Sequence, residues 1–325
     1  MPLDQSRTQQ FDFNHELLRF LQLVNEKIHS LELESDLLTF KNRNSCIIFL
    51  VVGPVRSGTT YLLQQMMQSD YFFVPTNFLS RFYANLPFGA VLQRLLTDPE
   101  LNFKGEMDDI IQLRANVASS VGSDYGKTVG VFNAHTIWYF WKFKLGLQTL
   151  CTEIPENKKE IFKKNFELAI NDIELSAQIL GKKAACLKAN FLSYNLELLQ
   201  AFPNVIPVFV DRETTNTIES YLRARKTIFG SEHARWGFYD RLTWDTKFEQ
   251  PTEEIKQQIS HTRKQFENLS KNGALGRYIF IDFEELVSKT DDVKTLFTEC
   301  LSCWDQQNKN VFLPNCTQSK SYVRL

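Results

Sequence analysis

The stretch CIIFLVVGPVRSGTTYLLQQMM, residues 46–67, constrains the fold more than any other part of this 325-residue chain. Its first seven residues, Cys46 through Val52, are apolar without alternation, and Ile47, Ile48, Val51 and Val52 are β-branched. That is how a strand buried on both faces reads, and such strands belong to parallel sheets covered by helices. The strand pattern ends at Gly53-Pro54, and TTYLLQQMMQ resumes as a helix. Strand, glycine turn and helix in this order can cradle an anion, because turn N–H groups and a helix N-terminus point at one place.

The turn has the frame of a phosphate-binding loop, with Gly58 five positions after Gly53 and then Thr59-Thr60. A nucleoside-triphosphate loop needs Lys directly after its second glycine. Thr59 stands there instead, and the only positive charge is Arg56, two positions before Gly58. Ser57, Thr59 and Thr60 add hydroxyl donors, and Arg56 brings a fixed fork suited to a phosphate or a developing oxygen charge. A plain turn capped by Thr59 or Thr60 is the structural alternative. The consecutive Arg-Ser-Gly-Thr-Thr behind a buried strand outweighs it.

Further strands are expected at Tyr71–Val74, Ala184–Lys188, Val205–Asp211 and Tyr278–Asp282. Helices fill the gaps at 59–69, 107–118, 157–180, 193–201, 214–229, 252–271 and 291–302, after an amphipathic helix over 14–33 carrying Leu17, Leu21, Val24, Ile28 and Leu31. The alternation implies an α/β fold, a central parallel sheet of about five strands covered by helices. We read residues 1–325 as one domain, with 1–44 a helical N-terminal extension. The aromatic-rich segment 75–155 lacks strand–helix alternation and reads as an insertion over the sheet. Its Phe78, Phe82, Tyr83, Trp138, Tyr139 and Trp141 could wall an acceptor pocket, although a packed core explains most such residues.

Lys and Arg total 37 against 38 Asp and Glu, a net charge of −1, which speaks against bulk binding to nucleic acid or anionic membranes. Any anion site must be built locally. Six cysteines are scattered, and the one close pair, Cys300 and Cys303, has no second pair or histidine at zinc-like spacing. They read as apolar filler in a reducing cytosol. The opening MPLDQSRTQQ lacks an apolar signal region. The longest apolar run, Cys46–Val52, is about a third of the roughly 20 residues a membrane span needs. A soluble cytoplasmic protein is expected.

The loop GPVRSGTTYLL resembles the 5′-phosphosulfate loop of sulfotransferases, which use 3′-phosphoadenosine 5′-phosphosulfate and carry Pro-x-Lys/Arg-Ser-Gly-Thr-Thr. That family's second signature is a strand ending in Arg, with Ser eight positions later in the next helix. VIPVFVDRETTNTIESYLRARK supplies Arg212 and Ser220 in that order. In the cytosolic branch a Lys-Thr-His lies upstream, and Lys188 stands twenty-four residues before Arg212, with Asn190 in place of the His. YIFIDFEELVSKTDDVKTLFTECL looks like the family's last sheet strand and following helix. The resemblance covers roughly 46–70 and 184–302.

The resemblance implies a P-loop-like sulfotransferase architecture and sulfuryl transfer to a hydroxyl or amine of a small-molecule, lipid or glycan acceptor, with no metal. It implies that Arg56, Ser57, Gly58, Thr59, Thr60 and Tyr61 hold the donor's 5′ end, and that Arg212 and Ser220 hold its 3′-phosphate. Arg56 is the candidate cation for the leaving oxygen. The family's base positions hold Asn190 and Asn77, and an amide takes no proton at neutral pH. His135, in GVFNAHTIWYFWKF, is the best candidate base, with a packed core histidine as the structural alternative. Glu106, Asp108 and Asp109 follow, then His233, and Arg81 is a candidate substrate contact. Two other readings stay open: a nucleotide binder of this type without turnover, and an ATP-dependent small-molecule kinase, which would need a phosphate-binding Lys and a Mg²⁺-binding Asp.

Overall fold

Six apolar residues in a row make β1 (Ile47–Val52), and all six are buried. The structure, a computed structural model, describes residues 7–31, 46–116, 123–307 and 322–324. The other strands are β2 (Phe72–Phe73), β3 (Ser123–Asp124), β4 (Lys127–Thr128), β5 (Ala184–Lys188), β6 (Val205–Asp211), β7 (Tyr278–Asp282) and β8 (Tyr322–Arg324). The main sheet has the order β2-β5-β1-β6-β7-β8. The first five strands run parallel, as expected, and β8 adds an antiparallel edge. β3 and β4 form a separate hairpin.

The helices are α1 (His15–Ile28), α2 (Thr59–Met67), α3 (Leu86–Thr97), α4 (Asp108–Ala115), α5 (Trp138–Leu145), α6 (Lys159–Ile179), α7 (Thr214–Phe229), α8 (Arg241–Asp245), α9 (Pro251–Lys271), α10 (Phe283–Ser288) and α11 (Thr290–Gln307). Alternate residues of β1 face opposite layers, as the two-residue period of a strand requires. Ile48, Leu50 and Val52 join a core with Trp141, Phe166 and Phe266 from α5, α6 and α9. Ile47, Phe49 and Val51 meet Leu63, Leu286 and Phe297 from α2, α10 and α11. Covering both faces is what permits a parallel sheet.

The parallel registers fix where a ligand can go. Val51 of β1 pairs with Lys188, Val52 with Phe209, and Asp211 of β6 with Asp282. The turns after β5, β1, β6 and β7 therefore open on one edge, the carboxyl ends of the strands, where open α/β sheets bind ligands.

Some expectations need correction. Residues 193–201 are not an α-helix but parts of two 3₁₀ turns, Asn190–Tyr194 and Leu196–Ala201. The insertion contains α3 and α5. The latter, WYFWKFKL, is apolar nearly all round, so its periodicity pointed nowhere. The expected tails at 32–33 and 117–118 lie outside the described residues. Cys46, Cys186 and Cys300 are buried, and Cys151 is half-buried; Cys316 lies outside the described residues. Among the described residues no helix is long and apolar enough to cross a membrane.

Candidate active site

The turn after β1 needs its glycines. Gly53 has φ +128°, and a Cβ there would run into the carbonyl of Val210 on β6. Gly58 has φ +95°, and a Cβ there would strike the ring of Phe283, the first residue of α10. Arg56 itself adopts φ +73°, a left-handed conformation that costs a non-glycine residue about 1 kcal/mol or more and that clusters at functional sites. The turn is tied from beneath: Asn190 Nδ2 donates to the Gly53 carbonyl at 2.7 Å, and the Gly53 N–H donates to Ser193 Oγ at 3.0 Å.

α2 starts without a side-chain cap, which leaves its first-turn N–H groups open to an anion. Ser57 Oγ is fully buried there and has no hydrogen-bond partner. Buried polar groups are normally satisfied, so an unspent hydroxyl at a helix start has the chemistry of a ligand contact.

Three cations from three elements converge on this turn. Arg56 Nε donates to Ser220 Oγ at 3.2 Å. Burial, and then the charges of Arg212 and Arg223, lower its pKa. Lys188, ending β5, donates from Nζ to Thr60 Oγ1 at 3.2 Å, and burial, followed by the Arg56 charge, pushes its pKa down to about 7. Arg212 follows β6. Its guanidinium carbon lies 4.7 Å from the centroid of the Phe283 ring, the same ring that abuts Gly58. Its Nε is buried without a hydrogen bond, 3.9 Å from Glu284 Oε1. Like charges gathered in partial burial repel unless an anion joins them.

The β6–α7 turn is built as firmly. Arg263 grips the Asp211 carboxylate from Nε at 2.9 and 3.0 Å, Thr214 Oγ1 at 2.7 Å and the Arg212 carbonyl at 2.6 Å. The Glu213 carboxylate caps α7 through the N–H groups of Thr215 and Asn216. That helix start is thus already filled by a negative group, which leaves Arg212, with Ser220 in the second turn, available to a further anion. Ser220, expected to share an anion with Arg212, accepts a hydrogen bond from Arg56. Its own hydroxyl proton is left to donate.

Tyr61 sets its ring edge-on to Phe283, centroids 6.1 Å apart, so an aromatic wall borders the turn. His135 belongs to the insertion, in the segment that bridges Ala134 to Thr76. Its N–H donates to the Pro75 carbonyl at 2.7 Å, and its Nδ1 accepts from the Ile137 N–H at 2.8 Å. Burial, and then the Arg81 and Lys127 charges, push its pKa down to about 4. Neutral in this tautomer, the ring carries its proton on Nε2. Asn77 Nδ2 is spent on the carbonyls of Thr128 and Gly130, and Asn190 on that of Gly53. Glu106, Asp108 and Asp109 are exposed at the start of α4, and His233 is exposed after α7; no contact brings them to the turn. Trp141 is core, 1 % exposed and stacked on Phe166, with its Nε1 holding the Lys188 carbonyl at 3.2 Å. Sequence reasoning missed the β3–β4 hairpin at the turn's rim, because Tyr125-Gly126 is not one of the Asn-Gly or Asp-Gly pairs that signal such a turn.

No protein-family model matches the sequence, and no curated protein is similar to it. Among solved structures, sulfotransferase STF1 from Mycobacterium tuberculosis H37Rv matches over 87% of this chain and 73% of its own, with a TM-score of 0.54 and 12% identity. Sulfotransferase STF9 from Mycobacterium avium matches over 90% of this chain and 73% of its own, with a TM-score of 0.50 and 12% identity. The helix-covered parallel sheet whose strand ends carry the glycine turn and its three cations is thus the sulfotransferase fold.

Proposed function

We propose that this chain is a sulfotransferase that moves a sulfuryl group from 3′-phosphoadenosine 5′-phosphosulfate to a hydroxyl or amine of a small-molecule, lipid or glycan acceptor. One observation carries the reading: Arg56, Lys188 and Arg212 gather round the uncapped start of α2, with the Ser57 hydroxyl buried there unpartnered. The residues fit the donor. Gly53 and Gly58 let the backbone approach a single phosphate, and a second cation group stands ready for a second one. No lysine follows Gly58, as suits a ligand without a β,γ-phosphate pair.

When bound, the donor supplies an activated sulfuryl group on a phosphate leaving oxygen. In this reading the turn's N–H groups, Ser57, Thr59 and Thr60 hold the 5′ end. Arg56 faces the oxygen on which charge develops, the term that usually dominates such catalysis. Lys188 adds charge beside Thr60. Arg212 and Ser220 take the 3′-phosphate, and Tyr61 lines the approach. His135 is assigned to the acceptor side. It is uncharged above about pH 4, and it takes a proton only by giving up its bond to the Ile137 N–H. The same reading makes 1–325 one domain, with 75–155 walling the acceptor pocket, in the cytoplasm.

A second reading, a nucleotide-binding protein without turnover, draws on Asn77 and Asn190, whose amides are spent on backbone carbonyls. Calorimetric titration with 3′-phosphoadenosine 5′-phosphate, with and without Mg²⁺, tests both against a kinase. The expected result is binding that needs no metal; a preference for Mg·ATP overturns the proposal. Acceptor-dependent release of product then separates enzyme from binder.

A further inference from the structure

The tip of the β3–β4 hairpin rests on the glycine turn and is strained where it does so. Tyr125 and Gly126 have φ of +51° and +89°, the left-handed pair of a two-residue turn that favours Asn-Gly. A tyrosine in the first position is an outlier of the kind found where structure serves function. Its ring faces the Arg56 guanidinium, 5.6 Å from carbon to centroid, within cation–π range. A Cβ added to Gly126 would stand 3.6 Å from Thr60 Oγ1 and 4.0 Å from Arg56 Nη1, so the hairpin backbone lies directly beside the cradle.

Tyr125 is braced from its far side by the N-terminal segment. Its OH accepts from Thr227 Oγ1 at 3.1 Å, and its ring meets Phe11 edge-on at 6.2 Å. Phe11 is 5 % exposed and packs with Ala224 and Ile228 of α7. Thr8 pins the same segment to α7, donating from N to the Ile228 carbonyl at 2.9 Å and from Oγ1 to the Thr227 carbonyl at 2.7 Å. Arg56 is therefore fixed twice: Ser220 holds one edge of the guanidinium and Tyr125 covers a face.

We infer that Tyr125 is a positioning residue for Arg56, and that segment 8–11 belongs to the active site because it holds Tyr125 in place. The inference rests on the donor reading only for its catalytic meaning; the placement of Arg56 is testable without it.

Labelling of Arg56 by phenylglyoxal in the full-length, ligand-free protein, followed by peptide mass spectrometry, reads that placement directly. Tyr125→Ala and Tyr125→Leu should each label about tenfold faster than wild type, the scale of a lost partly desolvated cation–π contact. Phe11→Ala should label faster too, and Tyr125→Phe, which keeps the ring, should stay within about threefold of wild type. Single-turnover release of the sulfuryl group should slow about tenfold in Tyr125→Leu, while the Kd for 3′-phosphoadenosine 5′-phosphate moves less than about threefold. A purely structural residue would not split rate from affinity in this way. Wild-type labelling rates in folded Tyr125→Ala or Tyr125→Leu overturn the inference. Failure of wild type to bind 3′-phosphoadenosine 5′-phosphate overturns the donor reading instead and leaves the labelling outcome to decide this one.

Discussion

The sheet edge where β1, β5 and β6 end and the insertion over 75–155 are made by opposite means. At the edge, short turns follow buried strands, the backbone is left-handed at Gly53, Arg56 and Gly58, and polar capacity stays unspent at Ser57 Oγ and Arg212 Nε. Over residues 77–137 of the insertion, polar groups hold one another: Asn77 holds Thr128 and Gly130, Thr128 holds Ala134, and His135 holds Ile137, while Thr152 Oγ1 near the insertion's end is buried without a partner. An element with unsatisfied donors and gathered cations is suited to a charged ligand. An element that has satisfied itself contributes shape. In the function proposed above, charge at the edge reads the donor and the packing of the insertion shapes the acceptor site.

Perturbing each region separately sharpens that contrast. The largest effect should be on stability and should come from the insertion. Trp141→Ala removes a fully buried indole stacked on Phe166 and should cost about 3–5 kcal/mol in urea unfolding. A loss under about 1 kcal/mol would mean that the insertion is not part of the core. At the edge, Arg56→Ala should leave stability nearly unchanged and lower turnover by about a hundredfold. Arg56→Lys should not restore it, because an ammonium lacks the planar fork. Near-normal turnover in Arg56→Ala would break the assigned role.

A smaller effect concerns pH. Lys188 titrates near 7 in the free protein, lowered by burial and by Arg56. Below that pH the amine is already charged, and an anion binds without taking up a proton. Above it, binding must draw a proton onto Lys188, so affinity for 3′-phosphoadenosine 5′-phosphate should fall from pH 7 toward 9, by at most about tenfold per unit. Lys188→Met should bind more weakly at pH 7 and lose that slope. A slope of the same size in Lys188→Met would remove Lys188 from the account.

The same contrast explains what the sequence could convey. β5, β6, β7 and α7 have the bounds their residues suggest, because each is a continuous apolar or amphipathic run between turn residues. The strand order then puts the turns holding Arg56 and Arg212 on one edge. α5 was not legible, since a helix apolar on every side has no direction to its pattern. Nor was β8, three residues long and defined only by its pairing to β7. Within the candidate site, residue types were visible but partners were not. Nothing local says that Ser220 will meet Arg56, or that Phe11 will brace Tyr125 from more than a hundred positions away. Those contacts come from packing, which periodicity does not encode.

The central claim is that two anion sites on one sheet edge serve a single nucleotide. Calorimetry with adenosine 5′-phosphate and with 3′-phosphoadenosine 5′-phosphate, on wild type and on Arg212→Ala, tests it most directly. Charge-assisted hydrogen bonds to the second phosphate should give wild type a preference of roughly ten- to a hundredfold for the bisphosphate, and Arg212→Ala should erase most of it. An undiminished preference in Arg212→Ala, or none in wild type, would contradict the account.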